Sequence, residues 1–442
     1  MESILEKLTS LAKRRGLIFQ NSEIYGGLAS TWDYGPIGAE LKKNIKDYWW
    51  NYHVHMRDDI VALDSSILSL NKVWETSGHV KNFSDPLLEC KECNARFRAD
   101  ILENTKGVCP TEKCSNSHFA DPREFNMMFK TNIGPVVSDT SEIFLRPETA
   151  QGIFVNFENI INTSRKKIPF GVAQIGKAFR NEITTGNFIF RTREFEMMEI
   201  EYFVKPEDSE KYYKEWIDGS MEFILSLNIN KSNLRIREHS KEDLSHYSKG
   251  TSDIEYKFPW GWAELQGIAN RGSFDLDAHS KSASKNFTIF EESTKSRYTP
   301  HVIEPSIGVD RLLLITLLDA YNEEKLESKE EKRTVLKLSP KIAPIKIAIL
   351  PLSKDPQLSE LSKKIQKDLI NKGNLGKIEY DETQSIGKRY RRQDEIGTPY
   401  CVTIDFETIN DNSVTIRHRD SMDQERININ DLSQKLTSEI YN

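Results

Sequence analysis

GKAFRNEITTGNFIFRTREFEMMEIEYF, residues 176–203, places runs of strand-forming residues on either side of a Gly-Asn pair, which predicts an antiparallel hairpin. It also carries Arg180, Glu182, Arg191, Arg193, Glu194, Glu196, Glu199 and Glu201. Strand side chains alternate faces, so Arg191, Phe195 and Glu199 are expected on one face, about 13 Å between successive members. A cation, an aromatic plate and an anion then stand in a row. Charge on a hairpin can also serve a solvated sheet edge, where it opposes the addition of another strand. Two further segments favour a site. In EPSIGVDRLLLITLLDAY, residues 304–321, a short strand containing Gly308 turns into an apolar helix near Arg311, whose position at a helix start favours anions. In WGWAELQGIANRGSFDL, residues 260–276, Glu264 and Arg271 flank Gly267 on a strand entering a turn.

The chain of 442 residues is long enough for two to three domains with sizeable cores. Hydrophobic residues make up 38% and charged residues 29%, with no apolar run long enough to span a membrane. MESILEKLTSLAKRR at residues 1–15 spaces Ile4, Leu5, Leu8 and Leu11 as an amphipathic helix and lacks the continuous apolar segment of a signal peptide, so a cytoplasmic location is expected. A net charge of -6 argues against a coat of basic charge for indiscriminate nucleic-acid binding, while leaving room for a local basic patch.

GPIGAELKKNIKDYWWNY puts Ile37, Leu41, Ile45, Tyr48, Trp49 and Tyr52 on one helical stripe behind an early proline. Such a stripe must be buried, and a homodimer is expected from it. A main domain then runs over residues 1–335, with the cysteine-rich stretch 88–120 as an insertion. EEKLESKEEKRT, residues 323–334, has opposite charges at helical spacing and reads as a solvated helix or linker. Beyond it, IKIAILPL, LSELSKKIQKDLINKG, GKIEYD, YCVTIDFE and SVTIRHR alternate strand and helix patterns, predicting a separate α/β domain over 340–442.

The hairpin, the Glu264–Arg271 segment and the Gly-x-Asp-Arg helix start occur in an order that resembles the class II aminoacyl-tRNA synthetases. RRGLIFQNSEIYGGLASTWDYGPIG, FNMMFKT, LRPETAQGIFVNF, FRNEI, REFEMMEIEYF, EPSIGVDR and GKRYRRQDEIGTPYCVTID are similar to the wording of the homodimeric glycyl-tRNA synthetase family, and they run from residue 14 to residue 405. One departure concerns the strand after the long helix, which in the class usually includes a proline; none stands between Pro36 and Pro86. The resemblance implies an α+β catalytic domain on an antiparallel sheet and a C-terminal α/β anticodon-binding domain. It implies ATP-dependent glycylation of tRNA(Gly) through a glycyl-adenylate, with Mg²⁺. A synthetase for another small amino acid is one alternative. A silent synthetase-like tRNA-binding protein is another, although Arg180, Arg191, Glu264 and Arg311 are all present.

By family position, Arg180 holds the α-phosphate and the attacking carboxylate, Arg191 and Arg311 hold the γ-phosphate, Phe195 stacks on adenine, and Glu182 accepts from its amino group. Arg180, Arg311 and Glu264 are the catalytic set, with Glu264 the Mg²⁺ ligand, since a hard cation prefers carboxylate oxygen. Glycine offers no side chain to grip, so its ammonium calls for several acids. The resemblance supplies Glu148, Glu199 and Glu304 with Ser306, while Arg271 either pairs with one of these acids or closes the pocket.

Cys90, Cys93, Cys109 and Cys114 form a C-x₂-C pair and a C-x₄-C pair. That spacing predicts a closed structural Zn²⁺ site, with His118 as a possible substitute ligand. Cys401, within YCVTI, reads as a buried strand residue. In the tail, Lys388, Arg389, Arg391 and Arg392 surround Tyr390; this is either a solvated basic helix start or a contact with tRNA in the anticodon region.

Overall fold

The alternation in the hairpin becomes two long strands, Phe170–Phe179 and Glu194–Val204, paired antiparallel with Phe195 opposite Ala178 and Glu199 opposite Gln174. In this computed structural model, the described residues are 3–99, 101–111, 114–136, 141–183, 186–240, 248–325 and 332–441. The connection between the two strands is not a tight Gly-Asn turn. It spans residues 180–193, and Asn187 and Phe188 adopt left-handed backbone (φ 56° and 59°) on entering a single 3₁₀ turn, Phe188–Phe190. Gly186 bridges to Arg191, folding the loop back, so Arg191 lies before the strand and does not share the strand face of Phe195 and Glu199.

These strands sit within a seven-stranded sheet ordered 234–238, 250–258, 261–272, 301–308, 194–204, 170–179, 60–62. All neighbours are antiparallel except the last pair. Met198, Ile200 and Tyr202 of the central strand join Ile268, Ile303 and Ile307 in the main core, where helix Val309–Ala320 is buried along almost its whole length. An all-round apolar helix of this kind belongs inside a large core. The alternate residues Phe195, Met197 and Glu199 face the opposite side, where a cleft opens.

Helix Pro36–Trp50 starts at its proline and packs Leu41, Ile45 and Trp49 into the same core. These three side chains are no more than 2% exposed, so the apolar stripe is already covered within the chain and does not by itself provide a dimer surface. The cysteine-bearing region lies beside a three-stranded sheet of Ser84–Glu89, Arg96–Arg98 and Arg123–Asn126. Among the described residues, no helix is long and apolar enough to cross a membrane.

The charged stretch 323–334, read as a solvated helix or linker, is strand at both ends: Tyr321–Lys325 pairs antiparallel with Lys332–Leu336. Residues 326–331 lie outside the described residues. Cross-strand pairing with the buried Val335 and Leu336 overrides the local helical charge pattern. The tail forms a five-stranded sheet ordered 378–380, 347–351, 400–404, 413–418, 424–428, parallel over the first three. Helices Pro356–Asn371, Ile386–Ile396 and Ile429–Tyr441 accompany it. Cys401 is 1% exposed on its strand, as its apolar neighbours predict.

A buried ion cluster joins the hairpin to the tail. Asp394, fully buried, accepts from Arg333 Nε at 2.8 Å and from Arg417 Nη1 at 2.9 Å, and Arg391 lies 3.7 Å away. Removing one side of such a cluster leaves buried charge uncompensated. Asp394→Ala is therefore expected to destabilise the protein by about 3–5 kcal/mol in urea melts; a loss under about 1 kcal/mol would show that water or other groups satisfy the freed guanidiniums.

Candidate active site

The cleft has a volume of about 380 Å³ and collects side chains from the central strands, the 180–193 loop and the start of helix Val309–Ala320. It brings together Arg180, Glu182, Arg191, Phe195, Glu264 and Arg311 with Glu148, Glu199, Glu304 and Ser306. Arg271 is not part of the lining. It lies beneath, 1% exposed, and donates from Nη1 to both oxygens of Glu304 at 3.0 and 2.9 Å and from Nε to Asp275 at 2.7 Å.

The cleft is polarised. At its cationic end, Arg180, Arg191 and Arg311 are partly exposed. Arg180 spends one donor, Nε, on Pro147 O, and its guanidinium lies 5.3 Å from the Phe195 ring centre. Arg311 follows the N-cap Gly308, lies over Phe190 at 4.5 Å and meets Glu264 Oε1 at 3.2 Å. Arg311, with Arg180 and Arg191 adding to it, holds the Glu264 carboxyl below its ordinary range despite the opposing effect of burial. Glu182 is buried, and its Oε2 has no hydrogen-bond partner. Arg191 stands 3.8 Å from that oxygen, too far to satisfy it. An orphaned acceptor of this kind fits a donor brought in by a ligand.

At the other end the acids are buried. Glu199 accepts from the Thr149 amide at 3.1 Å and from the Thr149 hydroxyl, at the start of helix Ala150–Val155. Glu148 accepts from Gln151 Nε2 at 3.0 Å and faces His79 Nε2 at 3.3 Å. Burial pushes the Glu148 carboxyl up, but His79 and Arg271, with the Gln151 hydrogen bond, carry it below the usual range. Glu304 moves the opposite way: burial and the neighbouring Glu199 and Glu148 outweigh Arg271 and raise it. Ser306 Oγ, buried beside this group, has no partner.

Sequence reasoning missed His79, Thr149, Gln151 and Asp275. The last had a signal, standing four residues after Arg271 in RGSFD; His79 had none, because its segment meets Glu148 only in the fold. A His239–Asp253 pair at 2.7 Å also lines the cleft.

The four cysteine sulfurs converge elsewhere, within 4.8 Å of one another, with Cys90–Cys114 at 3.8 Å and Cys93–Cys109 at 3.6 Å. All four are free thiols. His118 is exposed and lies outside this set. In the tail, Arg389 corrects the expectation for the basic helix. It is 1% exposed and donates to the carbonyls of Pro351, Leu352 and Asp381, capping strand ends and facing away from solvent. Tyr390 is held by Thr403 and lies under Arg417, and Arg392 pairs with Asp381. Lys388 remains exposed.

An antiparallel sheet whose charged strand face lies beside a helix-start arginine defines the class: residues 129–320 match the core domain of class II tRNA synthetases for G, H, P, S and T, and residues 346–439 match an anticodon binding domain. Full-length relatives narrow this further. The chain is 53% identical to the glycine–tRNA ligase of Acetivibrio thermocellus, over 98% of this chain and 97% of that protein. It is 53% identical to that of Borrelia garinii subsp. bavariensis, over 99% and 98%, and 51% identical to that of Thermobifida fusca, over 99% and 98%. The chain belongs to the glycine–tRNA ligase family.

Proposed function

We propose that this cleft activates glycine with ATP and passes it to tRNA(Gly), in the cytoplasm, with the two charged ends taking the two reactants. A carboxylate oxygen of glycine bonds to the α-phosphorus of ATP as the bond to the pyrophosphate oxygen breaks. The terminal ribose hydroxyl of tRNA then takes the glycyl group, and AMP leaves. The carrying observation is the polarity along one strand face, from Phe195 beside the arginines to Glu199 among the acids. Two anions must be held in contact for the first step, and preorganised guanidiniums provide that stabilisation without reorganisation.

Arg180 fits the α-phosphate and carboxylate, and Arg191 and Arg311 the γ-phosphate. Phe195 offers a ring for adenine, and the open Glu182 oxygen an acceptor for its amino group. Glu264, a low-pKa carboxylate with its side chain half open to solvent, fits a hard cation and would hold Mg²⁺, which when bound neutralises phosphate charge. Glu148, Glu199, Glu304 and Ser306 receive the glycine ammonium, with Arg271 fixing Glu304 from below. In the tail, Lys388 and the partly exposed Arg391 are left to meet tRNA phosphate.

The cysteine site is assigned to structural Zn²⁺. Four thiolates about 2.3 Å from a tetrahedral zinc lie about 3.8 Å apart, which agrees with the sulfur spacing. The Cys93 amide and Asn116 pull the Cys90 thiol down, while Cys114, despite the Asn116 amide, is pushed up by burial and the neighbouring sulfurs, so the assignment rests on the convergence of the four sulfurs. A homodimer remains part of the reading through family membership. Ile24, Tyr25 and Leu28, exposed ahead of helix Pro36–Trp50, leave apolar area for it.

A crossed pair of variants tests the strand geometry by pyrophosphate exchange. Glu199→Gln removes a charge-assisted contact of about 1.5–3 kcal/mol and is expected to raise the glycine requirement roughly ten- to more than a hundred-fold with little change for ATP. Phe195→Ala is expected to weaken ATP and leave glycine preference intact. Equal damage to both substrates by Glu199→Gln would sink the assignment. Elemental analysis is expected to find one zinc per chain, and metal-free protein with four freely titrating thiols in the cluster would remove the zinc. Sedimentation at micromolar concentration is expected to show a dimer; a monomer active at full rate would refute it.

A further inference from the structure

Glu201 lies two residues beyond Glu199 on the same face of the central strand, deeper than the cleft lining. It is 0% exposed, and neither carboxyl oxygen has a hydrogen-bond partner. Its oxygen lies within 4.8 Å of those of Glu199 and Glu304. The groups around this triad are Arg271, Asp275 and Glu148, with His79 on Glu148 and His279 bonded through Gln151. Arg146 is the next guanidinium, held by Ser65 and the Lys177 carbonyl. Arg271 is thus the cation at the centre, already committed to Glu304 and Asp275. Like charges at this separation in a dry site do not all ionise together.

We infer that Glu201 is a positioning residue that holds one proton in the acid cluster while the amino-acid site is empty and releases it when a primary ammonium arrives. Burial and the neighbouring Glu304 push its carboxyl well above the ordinary range, against the pull of Arg271. Glu304 is raised as well, but Arg271 donates to both of its oxygens whereas Glu201 has no partner, so in the empty site the proton rests on Glu201 and relieves repulsion between Glu199 and Glu304. An ammonium between Glu148, Glu199 and Glu304 supplies the missing positive charge, and the O–H bond of Glu201 then ionises. The proton leaves to solvent through Glu199 or Glu304, both of which line the cleft. The inference rests on the glycine reading given above.

The test is a proton count on the full-length, zinc-loaded enzyme without added Mg²⁺ or ATP, lightly buffered with a pH indicator, on addition of saturating glycine near pH 7. Glycine binding is followed separately by thermal shift. Wild type is expected to release about one proton per site, and Glu201→Gln, a neutral isostere, to bind glycine with almost no release. The sign follows from linkage: a group neutral in the empty site and ionised in the filled one makes apparent glycine affinity rise with pH until the empty-site group is itself ionised. Release from wild type is therefore expected to fall away at high pH. If glycine binds without proton release, or if Glu201→Gln releases as much as wild type, the inference is overturned while the glycine reading stands. No proton exchanged, or net proton uptake, when wild type binds glycine near pH 7 overturns it on wild type alone, even if the variant does not fold. Absence of any glycine-dependent thermal shift strikes the glycine reading itself.

Discussion

The guanidinium of Arg271 is the fixed point of the site. It is buried between Glu304 on the neighbouring strand and Asp275 one helical turn on, with Glu148 4.0 Å away. Glu304 is held in place by both oxygens, and Asp275 in turn anchors Gln151, which orients Glu148. Strand, helix and the 146–151 segment are therefore locked through one cation. A buried charge is costly unless paired and hydrogen-bonded, and here each partner meets that requirement through Arg271. Truncating it would leave several acids facing each other without compensation.

The two ends of the cleft differ in how their side chains are held. The acids hang from strands and a helix start, and their oxygens are bound by neighbouring groups. The arginines sit at element ends or in the 180–193 loop, partly exposed, with donors left over. Such an arrangement suits chemistry in which a small zwitterion must be gripped rigidly while a triphosphate arrives, reacts at its α-phosphate and sheds pyrophosphate. The distinction is one of burial: fixed dipoles and charges in a dry site act strongly, whereas half-exposed guanidiniums exchange partners readily.

Much of this was legible in the sequence because it depends on period and spacing. The alternation of Phe195, Met197 and Glu199 survives folding, and so does the Gly308–Arg311 helix start. Arg191 was misplaced because a turn signal gives no measure of loop length; the left-handed Asn187 and Phe188 extend the loop beyond the Gly-Asn pair. The apolar stripe of helix Pro36–Trp50 was correctly read as buried, but a stripe does not say against what. Its partner, helix Val309–Ala320, lies over 250 residues away in sequence. Arg389 shows the same limit for charge, since composition cannot separate a solvated arginine from one that caps strand ends through backbone carbonyls. His79 was illegible for the same reason, its function depending wholly on a long-range contact.

Recognition of glycine sharpens the demand on rigidity. A loose pocket separates ligands differing by one methylene by only about 1–3 kcal/mol, so exclusion of a larger amino acid must come from walls that do not yield. Apolar packing cannot supply the whole of this, because the ligand presents almost no apolar surface to pack against. Charge fixed in place can. The acids around Arg271 are cross-braced by Thr149, Gln151 and His79, so movement of one carboxylate to admit a side chain would disturb several buried hydrogen bonds together. That bracing requires more negative charge than one guanidinium balances. The surplus is tolerable in the empty site only if a carboxyl there stays neutral, and Glu201, with no partner for either oxygen, is the group the fold leaves to do so.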